Sequence, residues 1–167
     1  MSKVEDSKFE TLISISSGKR PPIKEDFQSK EYPIPIIGAS KVMGWTNEEL
    51  LNESILTIGR VGTHGIVQRF RIPVWVSDNS FVIKADYEEV VNQILRYKID
   101  WSSLNRGSTQ PLITQNDLKN VLVSLPNSNE LKQYNSIAAR ITDFQFNIIK
   151  QVGSLEKLRD TLINKLI

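Results

Sequence analysis

The stretch from Leu104 to Leu118, LNRGSTQPLITQNDL, carries the residues of this chain best suited to binding chemistry. Gly107 permits backbone conformations closed to other residues and Pro111 fixes φ, so the polar residues between them can be held in place. A guanidinium can pair with phosphate or guanine, a Gln amide presents a donor beside an acceptor, and hydroxyls can bond phosphate oxygens. The candidate contacts here are Arg106, Ser108, Thr109 and Gln110.

An ordinary surface turn followed by a helix cap is the alternative for the same stretch. Thr114 is suited to cap a short helix from Gln115 to Lys119, because Thr side chains accept hydrogen bonds from the first amides of a helix. Polar loops are common on protein surfaces. The composition of this loop alone therefore leaves both interpretations open.

A second polar turn lies between Leu56 and Phe70, in the sequence LTIGRVGTHGIVQRF. Its glycines at 59, 62 and 65 predict a hairpin whose backbone a ligand can approach closely. His64 is the only histidine, and it is either a locally bonded turn residue or a contact to a ligand. Basic and polar residues here and beside other turns complete the candidate set: Lys19, Arg20, Lys41, Arg60, Thr63, His64 and Arg69.

Short strands and two helices must position these loops. Between residues 34 and 83, short apolar runs alternate with turn signals: PIPIIG, SILTIG, GIVQRF, PVWV and SFVIK. An amphipathic helix is predicted from Tyr87 to Ile99 with Asp86 as its N-cap. A last strand, Val121 to Leu125, ends at Pro126, where we expect the globular part to end. The three Trp residues, Trp45, Trp75 and Trp101, are interpreted as core or anchor residues rather than stacking platforms.

A single long helix is predicted from about Asn129 to Leu166. This segment has no Pro, and large apolar residues recur every three or four positions from Tyr134 onward. Soluble monomers rarely expose such a stripe, so a partner helix should cover it. The predicted dimer interface comprises Ile141, Ile148, Val152, Leu155, Leu158, Leu162 and Leu166.

Composition limits the classes of function. The net charge is only +2, and residues 1–126 hold 15 Lys and Arg against 15 Asp and Glu. Any affinity for a polyanion must therefore come from one basic face. The chain has no Cys, its first ten residues are polar and charged, and no apolar run approaches the roughly 18 residues of a membrane span. These features predict a cytoplasmic protein.

The quoted motifs resemble, in their order, the target-recognition domain of specificity (S) subunits of type I restriction-modification systems, which read DNA. The similarity covers nearly the whole chain: SGKRP at 17–21, PIIGASKVMGWTNE, TIGRVGTHGIVQRF, VSDNSFVI, LNRGSTQPLITQNDLKNVLVSLP and SLEKLRDTLINKL. A typical S subunit has two such domains and two long helices, whereas one of each is found here. The stretch LPNSNELKQ, from Leu125 to Gln133, also departs from the family's usual double-Pro and Glu-Gln pattern.

The resemblance implies an α+β fold: a small mixed or antiparallel β-rich target-recognition domain, residues 1–126, followed by one long helix, 127–167, that pairs as an antiparallel coiled coil. It implies a non-catalytic subunit that binds double-stranded DNA, forms a homodimer, and docks an adenine methyltransferase (modification) subunit directly and a restriction subunit indirectly. S-adenosylmethionine and ATP are expected only on those partner subunits.

On this interpretation we expect phosphate contacts at Lys19, Arg20 and Arg69. We expect base contacts, or their supports, at Lys41, Arg60, Thr63, His64, Arg106, Ser108, Thr109 and Gln110. Two other classes of function stay open. One is a helical assembly module with little DNA binding of its own, which the neutral domain favours. The other is a small-molecule enzyme that uses His64 and Asp78, although no partner acid is identified for them.

Overall fold

A computed structural model describes residues 5–62, 64–107 and 111–166. The chain divides into two compact units, residues 1–127 and 128–167. Among the described residues, the first unit contains nine strands, a short 3-10 helix at Phe9–Thr11 and two α-helices, and the second unit is one long helix. The elements are β1 (Glu5–Lys8), β2 (Ser14–Ser17), β3 (Ile34–Ile37), β4 (Val42–Thr46), β5 (Ile55–Gly59), β6 (Gln68–Phe70), β7 (Trp75–Val76), β8 (Ser80–Lys84), α1 (Glu88–Tyr97), α2 (Gln115–Lys119), β9 (Leu122–Leu125) and α3 (Ser128–Leu166).

Three small sheets make up the first unit. An antiparallel sheet of four strands has the order β2-β8-β5-β6. A sheet of three strands has the order β4-β3-β7, in which β3 pairs with β4 antiparallel and with β7 parallel. The third sheet pairs β1 with β9. The mixed and antiparallel β-rich fold expected from the sequence is confirmed.

The core joins the two larger sheets. Every residue of β5 is buried, as are the first four residues of β8, because these central strands are covered on both faces. Side chains from β3, β5, β7, β8 and the residue before β7 form one buried apolar cluster of Ile37, Ile55, Val74, Val76 and Val82. Leu51 and Phe70 pack against it. This rigid centre holds the loops at the ends of β5 and β8.

Helix α1 buries its predicted apolar face, with Val90, Val91, Ile94 and Leu95 inside. The predicted N-cap was wrong: the helix begins at Glu88, and its N-cap residue, Tyr87, makes no side-chain capping bond. Two carboxylates in the first turn, Glu88 and Glu89, interact favourably with the helix dipole there. Asp86 lies outside the helix, one residue before the N-cap.

Helix α2 is confirmed with the predicted bounds and the predicted cap. The Thr114 hydroxyl accepts a bond from the Asp117 amide at 3.2 Å, and the Asp117 carboxylate accepts one from the Thr114 amide at 3.1 Å. This reciprocal capping box satisfies two amides that a short helix would otherwise leave unpaired.

Helix α3 contains 39 residues, so it is roughly 58 Å long at about 1.5 Å per residue. The predicted stripe lies along it, and the side chains assigned to the dimer interface are all exposed: Ile141, Ile148, Val152, Leu155, Leu158, Leu162 and Leu166. No helix among the described residues has the length and apolar content to cross a bilayer.

Candidate nucleic-acid interface

Two polar segments that are far apart in sequence meet at one end of the four-stranded sheet. We call residues 60–67, between β5 and β6, the hairpin loop, and residues 104–113 the polar loop. The Gly62 amide donates to the Pro111 carbonyl at 2.9 Å, and the Ile113 amide donates to the Arg60 carbonyl at 2.9 Å. Val61 and Leu112 form the β-bridge between these bonds. The two loops are therefore joined by backbone pairing.

Asn105, which the sequence analysis did not single out, closes the polar loop on itself. Its side-chain oxygen accepts from the amides of Gly107 at 3.0 Å and Leu112 at 2.9 Å. The Arg106 amide donates to the Leu112 carbonyl at 2.9 Å. An Asn that bonds nearby backbone in this way fixes a turn without regular secondary structure. The described part of the loop is thus held in a defined shape.

Arg106 leaves this loop beside α2 and forms an ion pair with Asp117. The Arg106 side chain is 70% exposed, whereas that of Asp117 is only 5% exposed. Burial opposes ionisation of Asp117, but hydrogen bonds from Thr114 and the charge of Arg106 outweigh it and lower the pKa of this carboxyl. The carboxylate therefore orients an Arg whose guanidinium faces solvent.

Replacing Asp117 with Asn tests this arrangement through pH. A lowered native pKa means that the ionised carboxylate contributes stability above the ordinary Asp pKa of 3.8, and that this contribution is lost as the pH falls below that value. We expect Asp117→Asn to be less stable than wild type at pH 7, with the difference shrinking in acid. Urea unfolding of both proteins at pH 7 and at a pH below 3.8 measures the difference in stability. A difference that is the same at both pH values would contradict the prediction.

The hairpin loop turns at two glycines with positive φ, Gly62 at +81° and Gly65 at +77°. Residues with a side chain rarely adopt this conformation. A Cβ at Gly62 would meet no atom within 4 Å, so the backbone there is open to a ligand. At Gly65, a Cβ would lie 2.9 Å from the Trp101 ring. Gly65 therefore packs against the protein's own Trp101 ring, and the approach of a ligand to the hairpin backbone stays a prediction, for which Gly62 has the space.

Arg60 and His64 sit at the base and tip of this loop. The Arg60 guanidinium lies over the Phe81 ring, 5.8 Å from its centroid. His64 Nδ1 lies 3.4 Å from the Gly59 carbonyl, which is the local contact that the sequence left as one alternative. Arg60 Nε and His64 Nε2 are buried, with no hydrogen-bond partner among the described atoms. Each side chain is therefore anchored at one end and keeps one nitrogen without a hydrogen bond among the described atoms.

The turn between β7 and β8, residues 77–79, and the first residue of β8 connect the segment of Lys19 and Arg20 to the same end of the sheet. The Gly18 amide donates to the Ser80 carbonyl at 3.0 Å, and the Arg60 amide donates to the Asn79 carbonyl at 3.0 Å. Gly18 precedes Lys19 and Arg20, which are exposed. This turn therefore joins the Lys19 segment to the hairpin loop.

Lys41 reaches the same region through the β3–β4 turn. Its carbonyl accepts from the Gly38 amide at 2.8 Å, and the Ser77 amide donates to the Ile37 carbonyl at 2.9 Å. The Gln68 side chain, just past the hairpin loop, donates to the Gly38 carbonyl at 3.0 Å. Lys41 itself is exposed. The structure thus brings together the segments of Lys19, Arg20, Lys41, Arg60, His64 and Arg106.

Arg69 was expected to contact phosphate, but in the structure it is paired with two carboxylates of α1. Its guanidinium donates to both carboxylate oxygens of Glu89, at 2.8 and 2.9 Å, and its Nε lies 3.0 Å from Glu88. The side chain is only 10% exposed. Because these bonds occupy it between β6 and α1, Arg69 has a structural role. Four other predicted contacts, Thr63, Ser108, Thr109 and Gln110, lie outside the described residues.

Two of the three Trp residues act as anchors, as expected. The Trp75 indole is buried and donates to the Lys19 carbonyl at 2.8 Å, which fixes the backbone that carries the basic pair. The Trp101 indole donates to the Leu95 carbonyl at 3.2 Å. Within the described ranges, no group of three or more His, Cys, Asp or Glu is arranged to hold a metal ion.

Solved structures of related architecture share this fold at low sequence identity. An S subunit of a type I restriction-modification system from M. genitalium matches with a TM-score of 0.70 and 16% identity, over 95% of this chain and 44% of that chain. A structure described for complex assembly and conformational transition of the type I R-M system matches with a TM-score of 0.59 and 17% identity, over 89% of this chain and 40% of that chain.

The HsdS subunit from Thermoanaerobacter tengcongensis matches with a TM-score of 0.53 and 14% identity, over 84% of this chain and 37% of that chain. This chain thus spans less than half the length of each of these three. No curated protein matches it. The family described as "Type I restriction modification DNA specificity domain" matches residues 1–162, nearly the whole sequence. The chain therefore belongs to the type I restriction-modification DNA specificity family.

Proposed function

We propose that the first unit reads one half-site of a double-stranded DNA target in a sequence-specific way. The observation that carries this proposal is the backbone pairing of the hairpin loop with the polar loop, at the end of the sheet where the Lys19 and Lys41 turns also lie. Exposed Lys and Arg side chains in these segments supply phosphate contacts. The two loops supply base contacts in the major groove.

The distribution of charge supports DNA binding through one basic face of the first unit rather than through a generally basic domain. Residues 1–126 carry as many acidic as basic residues, 15 of each, so bulk charge gives the domain no attraction for DNA. Besides Arg69, the predicted DNA contacts include five basic residues on turns at one end of the sheet: Lys19, Arg20, Lys41, Arg60 and Arg106. Each phosphate contact releases counterions, so binding should weaken steeply as salt is added.

Arg106→Ala tests the loop assignment. A bidentate Arg contact to guanine contributes about 1–3 kcal/mol of discrimination, so we expect a roughly tenfold to hundredfold loss of affinity and a relaxed preference at one position of the site. Competition binding against single-base variants of the selected duplex measures both.

The matched control is Lys84→Ala. Lys84 also carries a cationic side chain in an ion pair, with Glu53 at 2.6 Å, but it lies at the far end of β8 from Ser80. This control should bind DNA like wild type. If Arg106→Ala kept both affinity and sequence preference, Arg106 would be removed from the reading surface.

A homodimer rebuilds the two-domain arrangement through α3. The chain spans less than half of each related solved structure, and its long helix exposes an apolar stripe that needs a cover. A second copy, packed as an antiparallel coiled coil, covers that stripe with an identical one and relates the two reading domains by a two-fold axis. Two-fold symmetry in the protein then selects a palindromic target with separated half-sites.

At its middle and near its C-terminal end, α3 has a wider apolar surface than one coiled-coil seam requires. Besides the stripe, Ile149 is 67% exposed and Ile163 is 45% exposed, and both lie one residue after a stripe position. A single partner helix covers only a narrow seam. The extra width supports docking of an adenine methyltransferase subunit against the paired helices, with the restriction subunit recruited indirectly.

In this proposal the chain itself is non-catalytic. S-adenosylmethionine and ATP bind the partner subunits, and this chain supplies the DNA sequence preference and the spacing between half-sites. The competing proposal is a helical assembly module with little DNA affinity, which the neutral first unit favours. The salt dependence of duplex binding separates the two, since an assembly module gives weak binding with a shallow slope.

A further inference from the structure

The side of the hairpin loop away from the polar loop is held by α1. Arg96, in the last turn of α1, donates from Nη2 to the Val67 carbonyl at 2.7 Å. Its Nε donates to the Asn92 side-chain oxygen at 2.9 Å, one helical turn earlier. Asn92 is buried, so it fixes the direction in which the guanidinium points. Arg96 thus joins α1 to the last residue of the loop.

Trp101 packs against the same part of the hairpin loop, at Gly65. Its indole is fixed to the end of α1 by the bond to the Leu95 carbonyl, and its ring lies so close to Gly65 that a Cβ there would be 2.9 Å away. Gly65 also has positive φ, which a side chain would strain. Two independent contacts therefore fix residues 65–67 against the α1 end.

The loop is consequently held on both arms. Backbone pairing with Pro111 and Leu112 fixes its first residues, and Arg96 and Trp101 fix its last ones. A loop that is ordered before binding loses less conformational entropy on a ligand than a mobile one. The His64 side chain, which also contacts the Gly59 carbonyl, is therefore presented in one geometry rather than many.

We infer that Arg96 is a positioning residue for DNA readout, which acts through the Val67 carbonyl and does not itself contact DNA. This inference rests on the proposed function of the hairpin loop. Two of its nitrogens are committed within the protein. Loss of Arg96 should free the loop and reduce discrimination between DNA sequences. The number of phosphate contacts should stay the same.

The test uses the full chain with Arg96→Ala, Arg96→Lys and Lys98→Ala. Lys98 is an exposed cation two residues away, so its loss matches the change in charge. The first readout is amide hydrogen exchange of residues 64–67 in the free protein. The second is affinity for a duplex that wild type selects from a randomised library, relative to a scrambled duplex, across a salt series.

We expect Arg96→Ala to speed exchange in the loop and to lower the ratio of specific to non-specific affinity by about tenfold, with an unchanged salt slope. Lys98→Ala should match wild type in exchange and in that ratio. Arg96→Lys should restore part of both properties, because an ammonium can still donate to the Val67 carbonyl.

Three results would overturn the inference. Loop exchange could be unchanged in Arg96→Ala, or exchange could rise while discrimination stays at the wild-type level. Alternatively, the salt slope could fall by about one unit, which indicates a direct phosphate contact. Failure of the proposed function is distinguishable, because wild type would then select no sequence at all while the exchange readout still reports on the loop.

Discussion

We expect replacement of both Leu155 and Leu158 with Glu to leave the protein monomeric at concentrations where wild type forms the proposed homodimer of about 38 kDa, twice the 19.0 kDa chain mass. Both side chains belong to the exposed stripe of α3. A buried Leu contributes about 1.5–3 kcal/mol, and two-fold symmetry counts each change twice. We therefore expect the dissociation constant of the dimer to rise on the order of a thousandfold or more. Light scattering over a concentration series measures it.

The matched control for this experiment is Lys157→Glu. Lys157 lies between the two leucines in sequence but outside the stripe, so it changes the charge of the helix without touching the apolar seam. We expect this variant to stay dimeric. Two results would contradict the helix-paired dimer and its symmetric DNA target. The double variant could keep the wild-type mass, or wild type could stay monomeric at every concentration.

Arg69→Ala has the largest expected effect on the stability of the first unit. Arg69 is 10% exposed and joins Glu88 and Glu89, whose side chains are 18% and 6% exposed, to strand β6. Removing one member of a buried ion pair typically costs about 3–5 kcal/mol, and Arg71, 4.0 Å from both carboxylates, replaces only part of the lost interaction. We expect the free energy of unfolding to fall by that amount. Denaturant unfolding monitored by tryptophan fluorescence measures the loss.

The control for Arg69 is again the exposed Lys84–Glu53 pair, whose side chains are 42% and 51% exposed. Exposed pairs contribute about 0–1 kcal/mol, so Lys84→Ala should change stability by no more than that. A stable Arg69→Ala protein with weakened DNA binding would instead restore Arg69 to the phosphate-binding set.

Local rules predicted the helices well. The α2 helix and its Thr114 cap follow from a capping box, which involves only residues three apart. The stripe of α3 follows from helical spacing over 39 residues, long enough for the pattern to be unmistakable. Both signals depend on neighbours along the chain, so tertiary contacts had little power to override them.

Three strands were not predicted: β1 and β2, which depend on partners distant in sequence, and β4, which pairs with the neighbouring β3 but contains a glycine. Strands β1 and β2, EDSK and SISS, are mostly polar, and they pair with β9 and β8 about 120 and 70 residues away, respectively. Strand β4 contains Gly44, where a Cβ would lie 2.8 Å from the Glu25 carbonyl oxygen, so the glycine permits the 21–33 segment to cross it. A glycine within a strand pattern weakens the sequence signal.

The loops of the candidate site were predicted one by one, but the contacts that join them were not predicted. The pairing of the hairpin and polar loops at Val61 and Leu112 is a contact between residues about 50 apart, which no periodicity encodes. Arg69 was misassigned because its acidic partners lie some 20 residues away on α1. Arg96 and Asn105 were missed because each acts through a bond to a backbone carbonyl or amide, and the type of a side chain does not reveal such a bond.

The most direct test of the account is selection of duplexes by the wild-type chain from a randomised library, followed by sequencing. Two reading domains related by a two-fold axis predict enrichment of two inverted copies of one short sequence, separated by a constant gap. Enrichment of a single copy would contradict the dimer, and no enrichment at low salt would contradict DNA reading by this chain.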